Sequence, residues 1–359
     1  MVEAARPRVD FSRALSCAWN RCVYLLWERR SVPRIACFAF LNFLSGGAGG
    51  GGASFNYRIP LRDEKSSAVT AAGAATLAAL GAGYSASEGV LIAAVLLFVL
   101  SLALLLGWLG AVARLVLLEN MAADREAVVE PFARLARLGT SWFLFVLGMG
   151  LVCLLLLGGM AAAGFGLYTA GILEEGMTGA VILLVSLGIL LFLGLVLLML
   201  LINLFHGEVV APIMYRRQVG ALEAWSDLLA RLRQAPGLWA LYVLLRTALG
   251  VGAGMAAALA LIVCLLGVLL VVGILVGLPT LVLTLAFSSA AKGIALGGLV
   301  VAIILFLVVT FPLSLVVATP GSIFLRAFSI YVLQQVEPDY YLLPWGGPQP
   351  ARVDVPEAG

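Results

Sequence analysis

His206 and Glu208 are the neighbouring residues of this sequence whose side chains are best suited to acid–base or metal chemistry. His206 is the only histidine in the chain. Two ligands on one helix converge on a metal when they are four positions apart, because such residues share a helix face. His206 and Glu208 are two positions apart and point in different directions on a helix. We therefore predict that they form neither a metal site nor a catalytic pair.

Asn203 and His206 are three positions apart and share a helix face, so together they are candidates for a weak polar path. The alternative is a histidine that lies at the level of the lipid headgroups. No Ser-His-Asp, paired-carboxylate or Cys-His grouping can be assembled from the sequence. The glycine run 46–52 lacks the Lys and hydroxyl residues of a phosphate-binding loop. The sequence thus predicts no catalytic residue, no metal and no cofactor.

A second set of candidate residues consists of charges at the ends of long uncharged runs. A charge at the centre of a membrane helix costs roughly 2.5–3.5 kcal/mol on insertion scales, so it meets protein, water or an opposite charge. We expect such a network near the inner leaflet, made of Arg114, Glu119, Glu208, Arg246 and Arg326. We hypothesise that Glu208 or Glu119 pairs with Arg246. Snorkelling of each side chain to lipid phosphates is the alternative.

These charges stand out because the chain is otherwise apolar, with 63% hydrophobic and 11% charged residues. About 20 apolar residues cross the hydrocarbon core of a bilayer. Five runs contain no Asp, Glu, Lys, Arg or His, namely 89–113, 140–173, 176–205, 247–291 and 293–325. A β-barrel would instead show alternating segments of about ten residues. The sequence therefore predicts an all-α integral membrane protein.

Two segments, 117–145 and 209–242, resemble each other. In each, a basic stretch follows an apolar run, and aromatic residues precede the next apolar run. Each contains a short amphipathic elbow, at 126–138 and 220–234, and the first 32 residues hold a third copy. The apolar stripes are Val128, Phe132, Leu135 and Ala136; Leu222, Trp225, Leu228, Leu229 and Leu232; and Phe11, Leu15, Ala18, Cys22 and Leu26, with Arg21 off the last stripe. Such stripes are typical of interfacial helices, although any segment beside a membrane can look amphipathic.

We predict about six transmembrane helices, arranged as three hairpins that each follow an amphipathic interfacial helix. The spans are about 33–53, 89–118, 141–172, 177–206, 237–272 and 294–325. They form a single transmembrane domain, 33–325, between an N-terminal segment, 1–32, and a C-terminal tail, 326–359. The segment 273–292 is either a re-entrant element or a seventh span.

The distribution of Lys and Arg predicts the orientation in the membrane. Among the 22 Lys and Arg residues, only Arg58, Arg62, Lys65 and Lys292 fall at predicted outer ends. Cytosolic loops carry the excess of basic residues in membrane proteins. We therefore expect both termini to be cytosolic.

At EVVAPIMYRR, ALEAW and LYVLLR, within 208–246, the chain resembles a family of uncharacterised bacterial membrane proteins. That family is related to the membrane domain found beside some glycerophosphoryl diester phosphodiesterases. FLNFLSGGAGGGG (40–52) and FLRAFSIYVLQQVEPDY (324–340) also match. The resemblance implies six spans and a location in the bacterial inner membrane. It supplies no activity and no catalytic residues, because the soluble phosphodiesterase barrel has no counterpart here.

The function expected from the sequence is non-enzymatic: a membrane protein that organises lipids or a partner, with basic elbows that rest on anionic headgroups. Each arginine near such a surface contributes roughly 1 kcal/mol. A transporter or lipid translocator is the alternative, with helices broken near Pro212, Pro279 and Pro312 around a midplane cavity. A membrane-bound hydrolase is a third possibility that has no visible nucleophile–base pair. Lipids are the expected partners, and nucleic acid is not.

Overall fold

The computed structural model describes residues 9–28, 31–46, 86–169, 179–287, 291–337 and 340–345, and the regular elements of this part are all helices. The helices are α1 Phe11–Val23, α2 Val32–Leu44, α3 Ala86–Ala123, α4 Val129–Thr169, α5 Gly179–Phe205, α6 Ala211–Arg217, α7 Ala221–Gln234, α8 Pro236–Val272, α9 Leu278–Ala286 and α10 Ala291–Val336. Three short π-helical turns, Tyr24–Glu28, His206–Val210 and Gly273–Gly277, follow α1, α5 and α8.

Five helical segments of the described chain are long and apolar enough to cross a membrane. They are Val90–Ala123, Val129–Gly166, Leu183–Arg217, Pro236–Ala286 and Lys292–Val336. Several apolar helices of this length indicate a multi-pass membrane protein. The first predicted span, 33–53, is represented in the described residues by the 13-residue helix α2. The rest of that span, the basic residues at 58, 62 and 65, and the tail beyond residue 345 lie outside the described residues.

The two predicted elbows have different structures. The first elbow and the following span form one continuous helix, α4, whereas the second elbow, α7, is separated from α8 at Ala235. Ala235 has φ −142° and ψ 63°, since Pro236 disfavours helical geometry in the residue before it. No proline interrupts α4 at the equivalent place. Its Gly139 lies so close to Val112 that an added Cβ would collide with the side chain and backbone of α3.

The buried core lies at one end of the helix bundle. The C-terminal parts of α3, α5 and α10 and the N-terminal parts of α4 and α8 meet there, together with α1, α6 and α7. We call this the basic end, because the arginines from Arg114 to Arg326 lie in these parts. Along the remaining apolar lengths of the long helices almost all side chains are exposed. Such surfaces are suited to contact with lipid rather than with water.

Helix α1 packs on the protein through Ala14, Ala18 and Cys22, which contact the core. Asp10 caps the helix by accepting hydrogen bonds from the backbone N–H groups of Ser12 and Arg13, both at 3.0 Å. Arg21, expected on the polar side, is buried and donates to the carbonyl oxygen of Met121 at 2.7 Å. The N-terminal helix is therefore packed against α10 and joined to α3 by the Arg21 hydrogen bond.

Candidate functional site

Glu208 and Arg246 form an ion pair at the basic end. An Nη2 proton of Arg246, in α8, is donated to Glu208 Oε1 at 2.8 Å. Glu208 belongs to the π-helical turn that follows α5, and both side chains are largely buried. The second carboxylate oxygen of Glu208 and Nε of Arg246 are buried without a partner among the described residues. The pair neutralises the two charges but leaves part of their hydrogen-bonding capacity unused.

Arg114 and Arg326 meet at Ser45, the residue that ends α2. Arg114 Nη2 donates to the Ser45 carbonyl oxygen and Arg326 Nη2 donates to Ser45 Oγ, both at 3.0 Å. The terminal carbonyl groups of a helix carry partial negative charge and need donors. Arg114 also lies over the ring of Trp142, 5.0 Å from its centroid. Neither arginine forms an ion pair within the described part of the chain.

A cavity of about 130 Å³ separates these charged groups. Its polar lining consists of Arg114, Asn203, Glu208, Arg246, Ser322 and Arg326, and leucines of α5 and α10 complete its wall. We call it the arginine cavity. Among the described residues, its lining has three guanidinium groups and one carboxylate, and the other polar side chains are an amide and a hydroxyl.

The chemistry of the arginine cavity favours binding over reaction. Guanidinium groups are permanent cations whose planar N–H donors match the oxygens of carboxylates and phosphates. Ser322 Oγ donates to the Thr319 carbonyl oxygen of its own helix at 2.8 Å, and no histidine lines the cavity. Groups of three or more His, Cys, Asp or Glu that could hold a metal are absent from the residues that the structure describes.

Glu119 belongs to a separate contact. It is buried in α3 and forms an ion pair with Arg134 of α4, so it is not the partner of Arg246. The five charges expected to form one network are thus divided between an α3–α4 pair and the arginine cavity. Arg134 lies off the apolar stripe of the first elbow, on the side that faces Glu119.

Asn203 and His206 occupy different surroundings. Asn203 lines the arginine cavity and is exposed. The His206 ring is buried and stacks on Trp142 and Phe145, with ring centroids 4.7 and 4.5 Å away. Trp225 Nε1 donates to His206 Nδ1 at 3.0 Å. A polar path that joins the two residues is therefore not formed in the described structure, and His206 fastens α7 to α4 and α5.

Sequence reasoning missed two residues that line the cavity, Gly207 and Ser322, and Ser45, which contacts two of its arginines. Gly207 has a steric role, because an added Cβ would collide with the Arg114 guanidinium. Because the chain has 40 glycines, the position of Gly207 directly before Glu208 did not reveal this role in the sequence. Ser45 offered a better signal, since it follows an apolar helix whose last carbonyl groups must find donors.

Helix α7 has three faces of different character. Ala221, Ala224 and Leu228 are buried against the protein. Leu222 is 76% exposed and Leu229 is 46% exposed, on a second face. The third face is polar, and two ion pairs hold the helix in position: Arg217 with Asp227, and Arg231 with Glu337.

A groove of about 620 Å³ lies between α4 and α7, beside the exposed Leu222. Its α4 wall passes from Arg137 through Thr140 and Ser141 to Leu144 and Met149. The wall therefore changes from cationic to hydroxyl-bearing to apolar as α4 leaves the basic end. We call this the α4–α7 groove.

A second groove, of about 440 Å³, lies beside α7 against α4 and α5 and is apolar. Phe145, Leu198, Trp225 and Leu229 are among its lining residues. Helix α7 thus contributes to both grooves, and Phe145 of α4 lines both.

Comparison with known proteins gives a family but no activity. No curated protein and no solved structure matches the chain. A family model described as a family of unknown function matches residues 10–343, which include every residue of the arginine cavity and of both grooves. The chain therefore belongs to DUF7544, a family of unknown function.

Proposed function

We propose that this protein is a non-enzymatic, multi-pass membrane protein that organises lipids with anionic headgroups at its basic end. The observation that supports the proposal is the α4–α7 groove, where Arg137, two hydroxyl residues and an apolar wall follow one another along α4. A phospholipid presents phosphate, ester groups and acyl chains in the same order. The groove therefore offers each part of a phospholipid in one leaflet a suitable neighbour.

The energetics indicate that charge, rather than apolar contact, would provide the preference. Acyl chains that move from the bilayer into an apolar groove gain little, because lipid tails are as apolar as leucine side chains. An arginine near an anionic surface contributes roughly 1 kcal/mol. Arg137 and Arg233 are both exposed at the basic end. A modest preference for anionic lipid, reduced by salt, is therefore expected.

The proposal assigns the basic end to the cytosolic side of a bacterial inner membrane, with both termini on that side. The positive-inside rule supports this orientation, and the cytoplasmic leaflet carries the anionic lipids that the arginines would contact. A relation to the membrane domain found beside some glycerophosphoryl diester phosphodiesterases belongs to the same proposal. A lipid-binding role is compatible with that relation.

Transport is the less favoured function for the described geometry. A transporter needs a polar cavity midway along broken helices, whereas the arginine cavity lies among the packed helix ends. Helix α10 continues through Pro312. Pro212 and Pro279 lie in the first turns of α6 and α9, which follow π-helical turns. At these prolines the described residues show no gap between two half-helices.

The proposal can be tested with spin-labelled lipids and the purified protein in phosphatidylcholine vesicles. We expect labelled phosphatidylglycerol to show a larger motionally restricted fraction than labelled phosphatidylcholine, by up to about fivefold for one arginine contact of roughly 1 kcal/mol. Arg137→Gln should reduce the excess, as should 0.5 M salt. Lys292→Gln, an exposed site at the far end of α10, is the matched control. Equal restricted fractions for the two lipids would contradict the proposal.

A further inference from the structure

We infer that the arginine cavity is a binding site for one phosphate group, supplied either by a membrane phospholipid or by free inorganic phosphate. The site is distinct from the α4–α7 groove, since the two share no lining residue. The inference rests on the proposed function only for the lipid as a source of the phosphate. The anion site itself follows from the charges and contacts of the cavity.

The first argument is the charge imbalance of the cavity. Glu208 can neutralise one of the three arginines, and it does so with Arg246 at 2.8 Å. Arg114 and Arg326 both donate to Ser45 at the end of α2. A helix C-terminus supplies only about half a negative charge. More than one positive charge therefore remains without a counter-charge from the described residues. A bound anion would supply it.

The second argument is the burial of the donors. Arg246 is 6% exposed and Arg326 is 9% exposed. Nε of Arg246 and Nε of Arg114 are buried without a hydrogen-bond partner among the described residues. A buried donor that loses water and gains no partner costs about 1–3 kcal/mol, and more when the group is charged. Oxygens of an anion in the cavity are suitable acceptors for this kind of donor.

The third argument is that the guanidinium groups are held in position without the ligand. Each uses one terminal nitrogen in a contact with protein: Arg114 and Arg326 with Ser45, and Arg246 with Glu208. Gly207 allows Arg114 to lie against the backbone of the π-helical turn. Donors that are oriented beforehand lose less entropy on binding. The three arginines belong to three different helices. Their donors can therefore surround one anion from several directions.

Phosphate fits the cavity better than a smaller anion or an anion with a single hydrogen-bond acceptor atom. It carries between one and two negative charges near neutral pH and offers several oxygens to guanidinium donors. A volume of about 130 Å³ exceeds the roughly 30 Å³ of one water several-fold, which leaves room for a tetrahedral oxyanion. Leu200, on the wall of the cavity, is 60% exposed. The cavity thus adjoins the apolar helix surface along which a lipid's acyl chains can remain in the bilayer.

The test uses full-length protein in a phosphate-free, non-ionic detergent, stripped of bound lipid. In one arm the ligand is inorganic phosphate; in the other it is a short-chain phosphatidylglycerol, with a short-chain glycolipid that lacks phosphate as its reference. Binding is measured by calorimetry, with chloride at equal ionic strength as the reference for general salt effects. We expect one saturable site for phosphate, for the phospholipid, or for both in competition. A response to phosphate alone supports free phosphate as the source, and a response to phospholipid alone supports lipid.

Variants separate the cavity from the remainder of the basic surface. Arg326→Gln should weaken binding about tenfold or more, as expected for loss of a charge-assisted hydrogen bond. Arg326→Lys, which keeps the charge but loses the planar fork, should weaken it less. Arg125→Gln, in the exposed connection between α3 and α4, is the matched control and should leave binding unchanged. If Arg326→Gln fails to fold, Asn203→Leu provides a second test, because Asn203 is an exposed cavity residue and the leucine would obstruct the space.

Several results would overturn the inference. These are no saturable binding in either arm, the same response to chloride or to the glycolipid, and equal losses in Arg326→Gln and Arg125→Gln. Failure of the proposed function gives a different pattern. In that case the lipid preference in vesicles would be absent or insensitive to Arg137→Gln, while stoichiometric phosphate binding would persist and depend on Arg326.

Discussion

Arg246 donates to Glu208 at 2.8 Å across 38 positions of the sequence, and this contact joins α8 to the π-helical turn after α5. Glu208 is also the one carboxylate among the described residues that line the arginine cavity. Its removal would therefore affect more than one partner: it would leave Arg246 unpaired and add to the excess of positive charge around Arg114 and Arg326. The pair both connects α8 to the turn after α5 and limits the charge of the cavity.

The first prediction concerns the coupling of this pair. Glu208→Gln and Arg246→Gln should each lower the free energy of unfolding by about 3 kcal/mol, because each leaves a largely buried charge without its partner. The double variant should lose at least about 1 kcal/mol less than the sum of the two single losses. Unfolding in mixed detergent micelles measures all three values. Strictly additive losses would show that the two residues are not coupled.

The second prediction concerns Gly207. Gly207→Ala should lower the free energy of unfolding by about 1–3 kcal/mol, because the new methyl group must displace the Arg114 guanidinium in a packed region. Gly252→Ala is the matched control, since a Cβ there meets no atom within 4 Å. That substitution should change stability by no more than about 1 kcal/mol, in the stabilising direction expected for a helix. Equal effects of the two substitutions would argue against the close approach of Arg114 to this turn.

The sequence was sufficient to predict the long apolar helices and the unusual position of their terminal charges. Both are local properties: the length of an uncharged run, and the cost of placing a charge beside it. It could not decide whether Glu119 or Glu208 meets Arg246. That outcome depends on the rotation of α3 and α5 about their axes and on the π-helical turn, whose extra residue changes the direction of Glu208.

The two elbows illustrate the same limit. Their similar stripes predicted two similar interfacial helices, but Pro236 separates α7 from α8 while α4 continues through Gly139. The stripe of α7 also failed to distinguish the face that packs on the protein from the face that is exposed. Leu222 and Leu228 belong to one apolar stripe, yet Leu228 is fully buried and Leu222 is 76% exposed. Whether a residue of the stripe is buried or exposed depends on the positions of the neighbouring helices.

The third prediction concerns pH and the cap of α1. Hydrogen bonds from the backbone N–H of Arg13 and from the Ser12 side chain lower the pKa of Asp10 below its ordinary value of 3.8. A lowered carboxyl pKa stabilises the folded state above that ordinary value, and this contribution is lost as the pH falls through the folded-state pKa. Docking of α1 should therefore weaken as the pH falls below the ordinary carboxyl pKa of 3.8.

Trp19 reports on this docking, because its ring meets that of Phe324 edge-on at 6.1 Å. The fluorescence of Trp19, in a variant whose other tryptophans are replaced by phenylalanine, should change over this pH range. Asp10→Asn keeps an acceptor at the cap but removes the titrating group, so the part of the change due to Asp10 should vanish. A pH response that is identical in the two proteins would exclude Asp10 as its source.

The fourth prediction concerns the thiol of Cys22. Burial raises its pKa to about 12, and its Sγ contacts the Pro320 carbonyl oxygen at 3.5 Å. The thiolate is the reactive form of cysteine, so Cys22 should react with a maleimide far more slowly than the less buried Cys17. Single-cysteine variants at pH 8 allow the comparison, followed by mass spectrometry. Unfolding in detergent should make Cys22 reactive, and rapid labelling in the folded protein would contradict the docking of α1.

The fifth prediction concerns the sides of the membrane on which the two ends of α10 lie. Lys292 and Arg326 are about 51 Å apart along a continuous helix, which exceeds the hydrocarbon thickness of about 30 Å. In a cysteine-free background, Lys292→Cys should react with an impermeant maleimide in intact cells. Arg233→Cys and Ser12→Cys, both exposed and near the basic end, should react only after permeabilisation. Labelling of positions 12 and 233 from opposite sides would contradict a single cytosolic basic end, and labelling of 233 and 292 from the same side would show that α10 does not cross the membrane.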